Sequence, residues 1–451
     1  MDTQKPHSRK PDGQTRTGDG MAKKGGSQAN NYLLPIIMMF ALFFMIAFIT
    51  GLQNPIGAIV RSQFSLGNLG SQLPNFANFL AYACFGIPAG LLLQRIGYKR
   101  TALTAIAVGM FGIIIMLVAG FVGGTAMSTF GIYLFGAFVG GISMCMLNTV
   151  VNPMLNTLGN GGNRGNQLIQ LGGSCNSIAA TIAPVLGGYV MGGAVANAQI
   201  ADAATIFYIA LGIFALAFAV LYTIAIPEPR LNKVAKDKND RHSPLSFRHF
   251  VLGIVAIFVY VGVEVGIPNI GLQYLTRGLS FDTTVAGSIV GTYWFLMLVG
   301  RLVGASVGAK VSSRSMLSFV AGVALIFVCA AIFMPVDANV VMPVFKSDIS
   351  FGMAEVPVGV MFLILCGLCT SVMWGGIFNL AVEGLGKYTE AASGIFMVMV
   401  CGGGILPLIQ GGIADVTTYL TSYWLIAACL AYILFYALYG SKNVNKDIIT
   451  K

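Results

Sequence analysis

The chain has 451 residues, of which 56% are apolar and only 9% are charged. The apolar content lies above that of ordinary globular domains and the charge content far below it, so the composition excludes a soluble globular protein. The formal net charge of +10 is spread over tails and short connections. This distribution argues against a nucleic-acid-binding domain and is typical of a protein that crosses a membrane several times.

The first 31 residues are polar and lack the continuous apolar core of a signal peptide, so we expect a disordered cytoplasmic tail. Twelve apolar runs follow, each long enough to cross a hydrocarbon core of ~30 Å, which takes ~20 helical residues. The predicted spans are 32–54, 73–95, 101–122, 129–157, 167–193, 203–226, 249–275, 283–309, 315–334, 354–382, 389–415 and 418–440.

Basic residues are concentrated in the connections on one side of the predicted membrane. The second-to-third connection carries Arg95, Lys99 and Arg100, and the central loop carries a further cluster that ends at Arg248. Because cytoplasmic loops are enriched in lysine and arginine, we predict that these connections and both termini are cytoplasmic. An even number of spans agrees with termini on the same side.

A charged interruption at about 227–247 separates two sets of six predicted spans, and Leu158-Gly159 in the first set corresponds to Leu385-Gly386 in the second. Two six-span halves with a site at their interface are typical of an alternating-access transporter, whereas a channel would need a filter sequence. We therefore predict an all-α membrane protein with two six-helix halves around a central cavity. The predicted division is a tail at 1–31, an N-terminal half at 32–226, a linker at 227–247, a C-terminal half at 248–440 and a tail at 441–451.

The fourth predicted span contains a polar kink. Asn148 and Asn152 lie one helical turn apart, and Pro153 follows them directly. In hydrocarbon each amide needs a partner or a water-filled cavity, and the proline frees a backbone carbonyl that also needs a partner. The pattern favours a wall of a ligand site. The alternative is that both amides bond a neighbouring helix and serve packing alone.

The connection from Gly90 to Arg100 combines glycines with basic residues. It resembles the loop signature of the major facilitator superfamily, in which a glycine, an acidic residue, an arginine and a basic cluster join the second and third helices. Gln94 stands where the family usually has an aspartate, so the usual charge pairing is not expected. The resemblance implies that Arg95 and Arg100 are gating or structural residues; the alternative is a simple positive-inside anchor.

A more specific resemblance runs through several spans in the same order. The segments 148–153, 176–177 and 377–386 are similar to the fucose permease and bacterial glucose/galactose transporter branch of that superfamily. The resemblance implies a monomeric transporter in a bacterial inner membrane that carries a monosaccharide and uses no cofactor or metal. It also implies that the chain is not an enzyme. In agreement, the three histidines lie in a tail and at a loop edge, with no catalytic cluster around them.

Two residues depart from the fucose permeases. Asn148 stands where those permeases have a glutamate, and Asn54 stands where they have an aspartate. The glucose/galactose transporters often carry an amide at the first of these positions, so Asn148 favours a hexose over fucose. An amide offers two donors and two acceptor lone pairs to paired sugar hydroxyls without the cost of a buried charge. The loss of both carboxylates, however, removes two positions suited to proton coupling.

Among the sixteen acidic residues, Glu264 alone lies deep in a predicted span. Counting about fifteen residues from the span's edge places it ~22 Å into a core of ~30 Å. A carboxylate at this depth favours its protonated form until a cavity hydrates it, which suits proton symport. Two alternatives stay open. Glu264 is either a permanently neutral acid bonded to the sugar or to an amide, or a sodium ligand alongside amide and carbonyl oxygens.

Arg301 follows Gly300 in the eighth span and resembles the arginine of this branch's Gly-Arg pair. It is predicted to lie ~12 Å from the loop at Gly308, on the cytoplasmic side of the midplane. We interpret it as a gating or structural residue, with a direct substrate contact as the alternative. An ion pair with Glu264 is not expected, because the two predicted depths differ by more than a salt-bridge distance.

The other candidate ligands for a sugar are amides and one indole distributed over several spans. An aromatic ring against the apolar face of a pyranose, with amides around its rim, is suited to a small polar ligand in a mostly apolar site. The predicted substrate-binding residues are Asn54, Asn75, Asn148, Asn152, Asn176, Gln273, Trp374 and Asn379.

These observations predict a secondary active transporter that imports glucose, galactose or a related hexose, by proton symport. Sodium symport and transport of fucose or another sugar are the alternatives in the same class. An exporter of small metabolites or drugs is an alternative from a different class, which the amide-rich lining disfavours. A non-transporting nutrient receptor fits less well, because the tails are short and carry no signalling domain.

Overall fold

The computed structural model describes residues 32–64, 68–122, 124, 127–190, 200–226, 228, 242–346, 349–445 and 448, without the side chains of 49–62, 68–72, 184–190 and 283–284. The first half contains the helices α1 (Leu33–Gln63), α2 (Asn68–Val122), α3 (Met127–Leu158), α4 (Gly162–Val190) and α5 (Ala204–Thr223). The second half contains α6 (Arg248–Gln273), α7 (Thr283–Gly308), α8 (Ser313–Phe333), α9 (Val358–Thr370), α10 (Met373–Val382), α11 (Thr389–Val398), α12 (Gly402–Val416) and α13 (Tyr419–Phe435). A hairpin of β1 (Asn339–Phe345) and β2 (Phe351–Pro357) connects α8 to α9.

The helices coincide with the predicted spans. Within the described residues, nine helical segments are long and apolar enough to cross a membrane. One of them, in α2, has 50 residues and therefore holds two predicted spans, since ~20 residues suffice for one crossing. Helices α1 and α4 account for the first and fifth spans. The predicted tail at 1–31 and most of the predicted linker lie outside the described residues.

The two crossings within α2 are separated by a turn at Gly97. Its φ of 81° is in the left-handed region, where a side chain is strained. The helical run restarts immediately, and the carboxylate of Glu228 accepts hydrogen bonds from the backbone N–H groups of Tyr98 (2.8 Å) and Lys99 (3.1 Å). These are unpaired donors at a helix start, where a negative charge is also favourable. Glu228 thus caps the third span.

The tenth and eleventh spans are each broken into two helices. Helix α9 ends at Thr370 and α10 begins at Met373, and the turn Met399–Cys401 separates α11 from α12. A break releases backbone carbonyls from the helical ladder, which inside a membrane must find other partners. The carbonyl of Val372 accepts a hydrogen bond from Gln170 Nε2 at 2.9 Å. The break therefore supplies a contact to α4 in the other half.

The hairpin was not predicted. The tenth span was expected to begin at 354, whereas 351–357 form β2, which pairs antiparallel with β1 in a register that joins Asn339 to Pro357 and Phe345 to Phe351. The apolar pattern assigned the end of β2 to the tenth span, because a short apolar run next to a helix cannot be distinguished from that helix by its pattern alone. The true start of α9 is Val358, directly after Pro357.

The halves meet closely through α2 and α11. A Cβ added to Gly90 would lie 2.8 Å from the Cα of Gly394, and one added to Gly86 would lie 2.5 Å from the backbone nitrogen of Val398. Only residues without side chains permit helices to approach this closely. These contacts lie toward the membrane side that carries Arg95, which we call the basic face. The side that carries the hairpin is called the opposite face.

Candidate substrate-binding site between the halves

The polar kink of α3 is satisfied by partners from both halves. Pro153 has no N–H group, so the carbonyl of Thr149, one turn earlier, lacks its helical donor. Ser393 Oγ of α11 donates to that carbonyl at 3.2 Å. Asn148 Nδ2 donates to the hydroxyl of Tyr82 at 2.9 Å, and Asn152 Nδ2 donates to the carbonyl of Asn148 at 2.9 Å. The kink therefore sits at the interface of the halves.

Trp374 of α10, in the second half, contacts this kink. Its indole Nε1 donates to Asn152 Oδ1 at 3.0 Å, and Asn152 is fully buried. Edge contacts with Tyr260 (ring centroids 6.3 Å apart) and Phe396 (6.1 Å) hold the half-buried indole from two sides. Three predicted substrate-binding residues, Asn148, Asn152 and Trp374, are thus joined in one cluster that contains both amides and an aromatic face.

Glu264 and Arg301 form an ion pair, with Oε1 and Nη2 3.3 Å apart, so the prediction that they would not pair was wrong. The predicted depths were those of the main chain. Helices α6 and α7 run in opposite directions, and a helical side chain leans toward its own N-terminus. Glu264 therefore leans toward the basic face and Arg301 away from it. Two long side chains cover the remaining separation.

Arg301 also reaches into the first half. Its Nη1 donates to Ser177 Oγ at 2.7 Å, to the carbonyl of Gly173 at 2.9 Å and to Asn176 Oδ1 at 3.3 Å. The side chains of Arg301 and Glu264 are only 10% and 14% exposed. A charge pair withdrawn from water is tolerated only when hydrogen bonds satisfy its other atoms. The guanidinium meets that condition by binding α4, α6 and the carbonyl of Ser371 at once.

Two tyrosines lie next to the ion pair, and one of them also contacts Trp374. Tyr260 lies one turn before Glu264 in α6, and its ring contacts Trp374 with centroids 6.3 Å apart. Tyr293 donates to the carbonyl of Glu264 at 3.3 Å and contacts the hydroxyl of Thr370 at 3.0 Å. The ion pair and the cluster of Asn148, Asn152 and Trp374 therefore lie near each other at the interface, with Tyr260 beside both.

Asn379 lies in a separate contact at the basic face. Its Oδ1 accepts from Asn156 Nδ2 at 3.1 Å, and its Nδ2 donates to Ser313 Oγ at 2.8 Å and to the carbonyl of Gly162 at 3.2 Å. It follows Trp374 by about one and a half turns, which places it ~8 Å closer to the basic face. In this structure the side chain of Asn379 links the halves, and its substrate role stays a prediction.

Two further predicted amides lie near the ends of their helices. Asn75 is half-buried in the first part of α2, and Gln273 is half-buried at the last residue of α6. The side chain of Asn54 is outside the described residues. Arg95 and Arg100 are exposed. Their proposed gating role, like the substrate role of the amides, stays a prediction.

Three residues of the site were missed by sequence reasoning: Tyr82, Ser177 and Tyr260. Tyr260 precedes Glu264 by four residues, so helical spacing gave a usable signal that the two side chains share a face. Ser177 follows Asn176 directly, but nothing in its context marks it as an arginine ligand. Tyr82 is recognised only through its contact with Asn148, which requires the packed structure.

Two six-helix halves with a connected polar cluster between them define a membrane transporter rather than an enzyme. The family model described as "Major Facilitator Superfamily" matches residues 39–408. The chain therefore belongs to the major facilitator superfamily, as its loop and span motifs predicted.

Known proteins of this family resemble the chain over nearly its whole length. A glucose/galactose transporter of Brucella abortus is 30% identical over 428 residues, covering 92% of this chain and 96% of the relative. The L-fucose-proton symporter of Escherichia coli K12 is 22% identical over 449 residues, covering 94% and 96%. The crystal structure of the transporter FucP in the outward conformation superposes with a TM-score of 0.76 at 21% identity, covering 91% of this chain and all of that one. The predicted fold is confirmed.

Proposed function

We propose that this protein imports a monosaccharide, glucose, galactose or a related hexose, by alternating access. The observation that carries the proposal is the contact between Asn152 and Trp374, which joins an amide ladder of one half to an indole of the other. Relatives named glucose/galactose transporter and L-fucose-proton symporter support a sugar as the substrate class.

The chemistry of the cluster suits a neutral polyol. The amides of Asn148 and Asn152 present uncharged hydrogen-bond donors and acceptors. A sugar hydroxyl can bond to either, because it both donates and accepts hydrogen bonds. A sugar that enters between the halves would exchange the hydrogen bond between Trp374 and Asn152 for its own hydroxyls. Its apolar face would lie against the indole ring. Asn148 instead of a carboxylate makes this wall a binding surface that takes up no proton.

Transport then requires that the contacts at the basic face open. They consist mainly of amide hydrogen bonds, such as those from Asn156 to Asn379 and from Gln170 to Val372, together with glycine contacts. Such bonds have net values of ~1 kcal/mol each, because water replaces them on opening. The basic face can therefore open and close at a modest cost that a bound substrate is able to supply.

The coupling ion is proposed to be a proton carried by Glu264. In the pair with Arg301 the carboxylate is charged; protonation would remove the attraction and free the guanidinium from α6 while it still binds Ser177 and Gly173 of α4. Because Arg301 contacts both halves, the protonation state of one residue would bias their relative position. Sodium bound at the same carboxylate is the alternative.

The test is a pH measurement in proteoliposomes after addition of each sugar of a panel, with and without sodium. Proton symport predicts alkalinisation outside the vesicles for hexoses, independent of sodium. Sodium-dependent sugar uptake without a pH change would show that sodium is the coupling ion. The absence of uptake for every sugar of the panel would contradict the proposed substrate class. Glu264→Gln is expected to abolish accumulation against a gradient while exchange of sugar continues. Glu355→Gln, at an exposed acid of the hairpin, is the matched control.

A further inference from the structure

The hairpin of β1 and β2 has an apolar inner face and an outer face that is apolar toward its tip. On its inner face Met342, Val344 and Val356 are buried against the helices. On its outer face Val341 is 58% exposed and Met353 is 68% exposed. An antiparallel hairpin at a water-exposed surface carries polar residues on its outer face. On this hairpin the exposed strand residues toward the tip are apolar, and the exposed acid, Glu355, lies opposite Val341 nearer the base.

The position of the hairpin along α7 indicates what covers that face. The backbone N–H of Phe345 donates to Thr292 Oγ1 at 2.8 Å, and the Phe345 ring stacks on Phe295 with centroids 4.9 Å apart. Counting ~1.5 Å per residue from Gly308, the end of α7 at the basic face, places Thr292 ~24 Å along the helix. The hydrocarbon core is ~30 Å thick. The end of β1 is thus level with the outer part of the membrane.

The same face of α7 continues toward the lipid. Leu302 lies seven residues after Phe295, hence on the same side of the helix, and is 47% exposed. Exposed apolar side chains on a membrane-spanning helix face acyl chains. The hairpin packs on this side of α7, so its outer face continues a lipid-facing surface.

The unpaired backbone groups of the two strands define the depth of the hairpin in the membrane more closely. A two-stranded hairpin leaves both strand edges unpaired, and unpaired N–H and C=O groups are not tolerated in hydrocarbon. Exposed apolar side chains, in contrast, are unfavourable in bulk water. The zone between headgroups and acyl chains provides water for the edges and apolar surroundings for the side chains. The exposed amine of Lys346 can reach the headgroup phosphates from the end of β1.

We propose that the outer face of the hairpin, formed by Val341, Phe351 and Met353, binds phospholipid at the membrane interface of the opposite face. The occupant is the lipid bilayer. A second protein and a second copy of this chain are outcomes that the test distinguishes. The proposal does not depend on the identity of the transported substrate.

The test uses tryptophan fluorescence of the full chain in bilayers of phosphatidylcholine with brominated acyl chains. Trp424, which is 48% exposed, is first replaced by Phe to lower the background. In that parent, Met353→Trp places a reporter on the outer face and Asp337→Trp places a matched control in the exposed connection before β1. Val341→Trp serves as a second reporter if Met353→Trp does not fold.

The outer-face reporter is expected to lose more emission to brominated lipid than the control does, and to lose less to aqueous acrylamide. Acrylamide quenching at 353 equal to that at 337, without bromolipid quenching, would show a water-exposed hairpin and overturn the proposal. Protection of the 353 reporter from both quenchers would show that protein covers the face, which also overturns it.

Discussion

The side chain of Arg301 binds residues of both halves. Its bonds to Ser177 and Gly173 belong to the first half, and its bond to Glu264 belongs to the second. A charge in such a position is stabilised only as long as its partners remain, because the cost of burying an unpaired ion exceeds the value of any single bond. The stability of the interface should therefore depend on the pair as a unit.

A double-mutant cycle tests this dependence. Glu264→Gln and Arg301→Gln each leave one buried charge without its partner and are expected to lower stability, by up to about 3–5 kcal/mol each. The double variant removes both charges, so its loss should be smaller than the sum. The measurement is the thermal unfolding midpoint of all four proteins in the same detergent. Strictly additive losses would mean that the two side chains do not stabilise each other.

Trp374 is expected to bind sugar through its ring as well as through its N–H group. Trp374→Phe keeps an aromatic face but leaves Asn152 Oδ1 without its donor, so we expect KM to rise about tenfold, equivalent to ~1.4 kcal/mol. Trp374→Leu removes the face and should raise KM further. Initial rates of labelled-sugar uptake give the KM of each Trp374 variant. Trp424→Phe is the control, and its KM should equal that of the unmodified protein. Equal KM values for Phe and Leu would exclude ring stacking.

At this scale the sequence selected several residues that the structure places at the interface of the halves, but not their neighbours. Asn148, Asn152, Trp374, Glu264 and Arg301 were all selected, because buried amides, one deep acid and one deep arginine are rare in apolar spans. Their pairing was misjudged, since a count along the helix axis ignores the direction in which a side chain leans. Asn379 shows the converse. An amide in a predicted ligand helix proved to bind Asn156 at the basic face.

At the scale of elements, continuous spans were predictable and interruptions were not. Apolar length alone located the helices to within a few residues at most ends. The breaks after Thr370 and Val398 and the hairpin before α9 depend on tertiary contacts, since the released carbonyls and strand edges are satisfied by other elements. A single sequence contains no direct record of those partners.

The turn at Gly97 gives an element-scale prediction. Gly97→Ala forces a Cβ into the left-handed region, which costs ~1–2 kcal/mol, and places it 2.6 Å from the Glu228 carboxylate. We expect a lower unfolding midpoint and a loosened cap on the third span. Gly212→Ala in α5 is the matched control, because its added Cβ meets open space within a helix and should leave stability unchanged or raise it slightly. An unchanged unfolding midpoint for Gly97→Ala would show that the backbone at this turn can take another conformation without a loss of stability.

At the scale of the whole molecule, close helix approach contributes to closing the basic face. Gly394 of α11 lies between Gly86 and Gly90 of α2, and a Cβ added to Gly394 would lie 2.8 Å from the carbonyl oxygen of Gly86. In the part of the chain that the structure describes, the contacts between the halves here include amide bonds and glycine packing. A side chain at 394 would push α11 away from α2 and so separate the halves.

Gly394→Leu should therefore shift the protein toward a state that is open at the basic face. A reporter is provided by Asn166→Cys, since Asn166 is fully buried near Gly308 and its side chain has no hydrogen-bond partner among the described residues. Membrane-impermeant maleimide applied from the basic face should label this cysteine faster with Gly394→Leu than without it. Gly412→Leu, in an open position of α12, should not change the rate. Equal labelling of both leucine variants would mean that glycine packing does not keep this face closed, and the amide bonds of Asn156 and Gln170 would then have to do so.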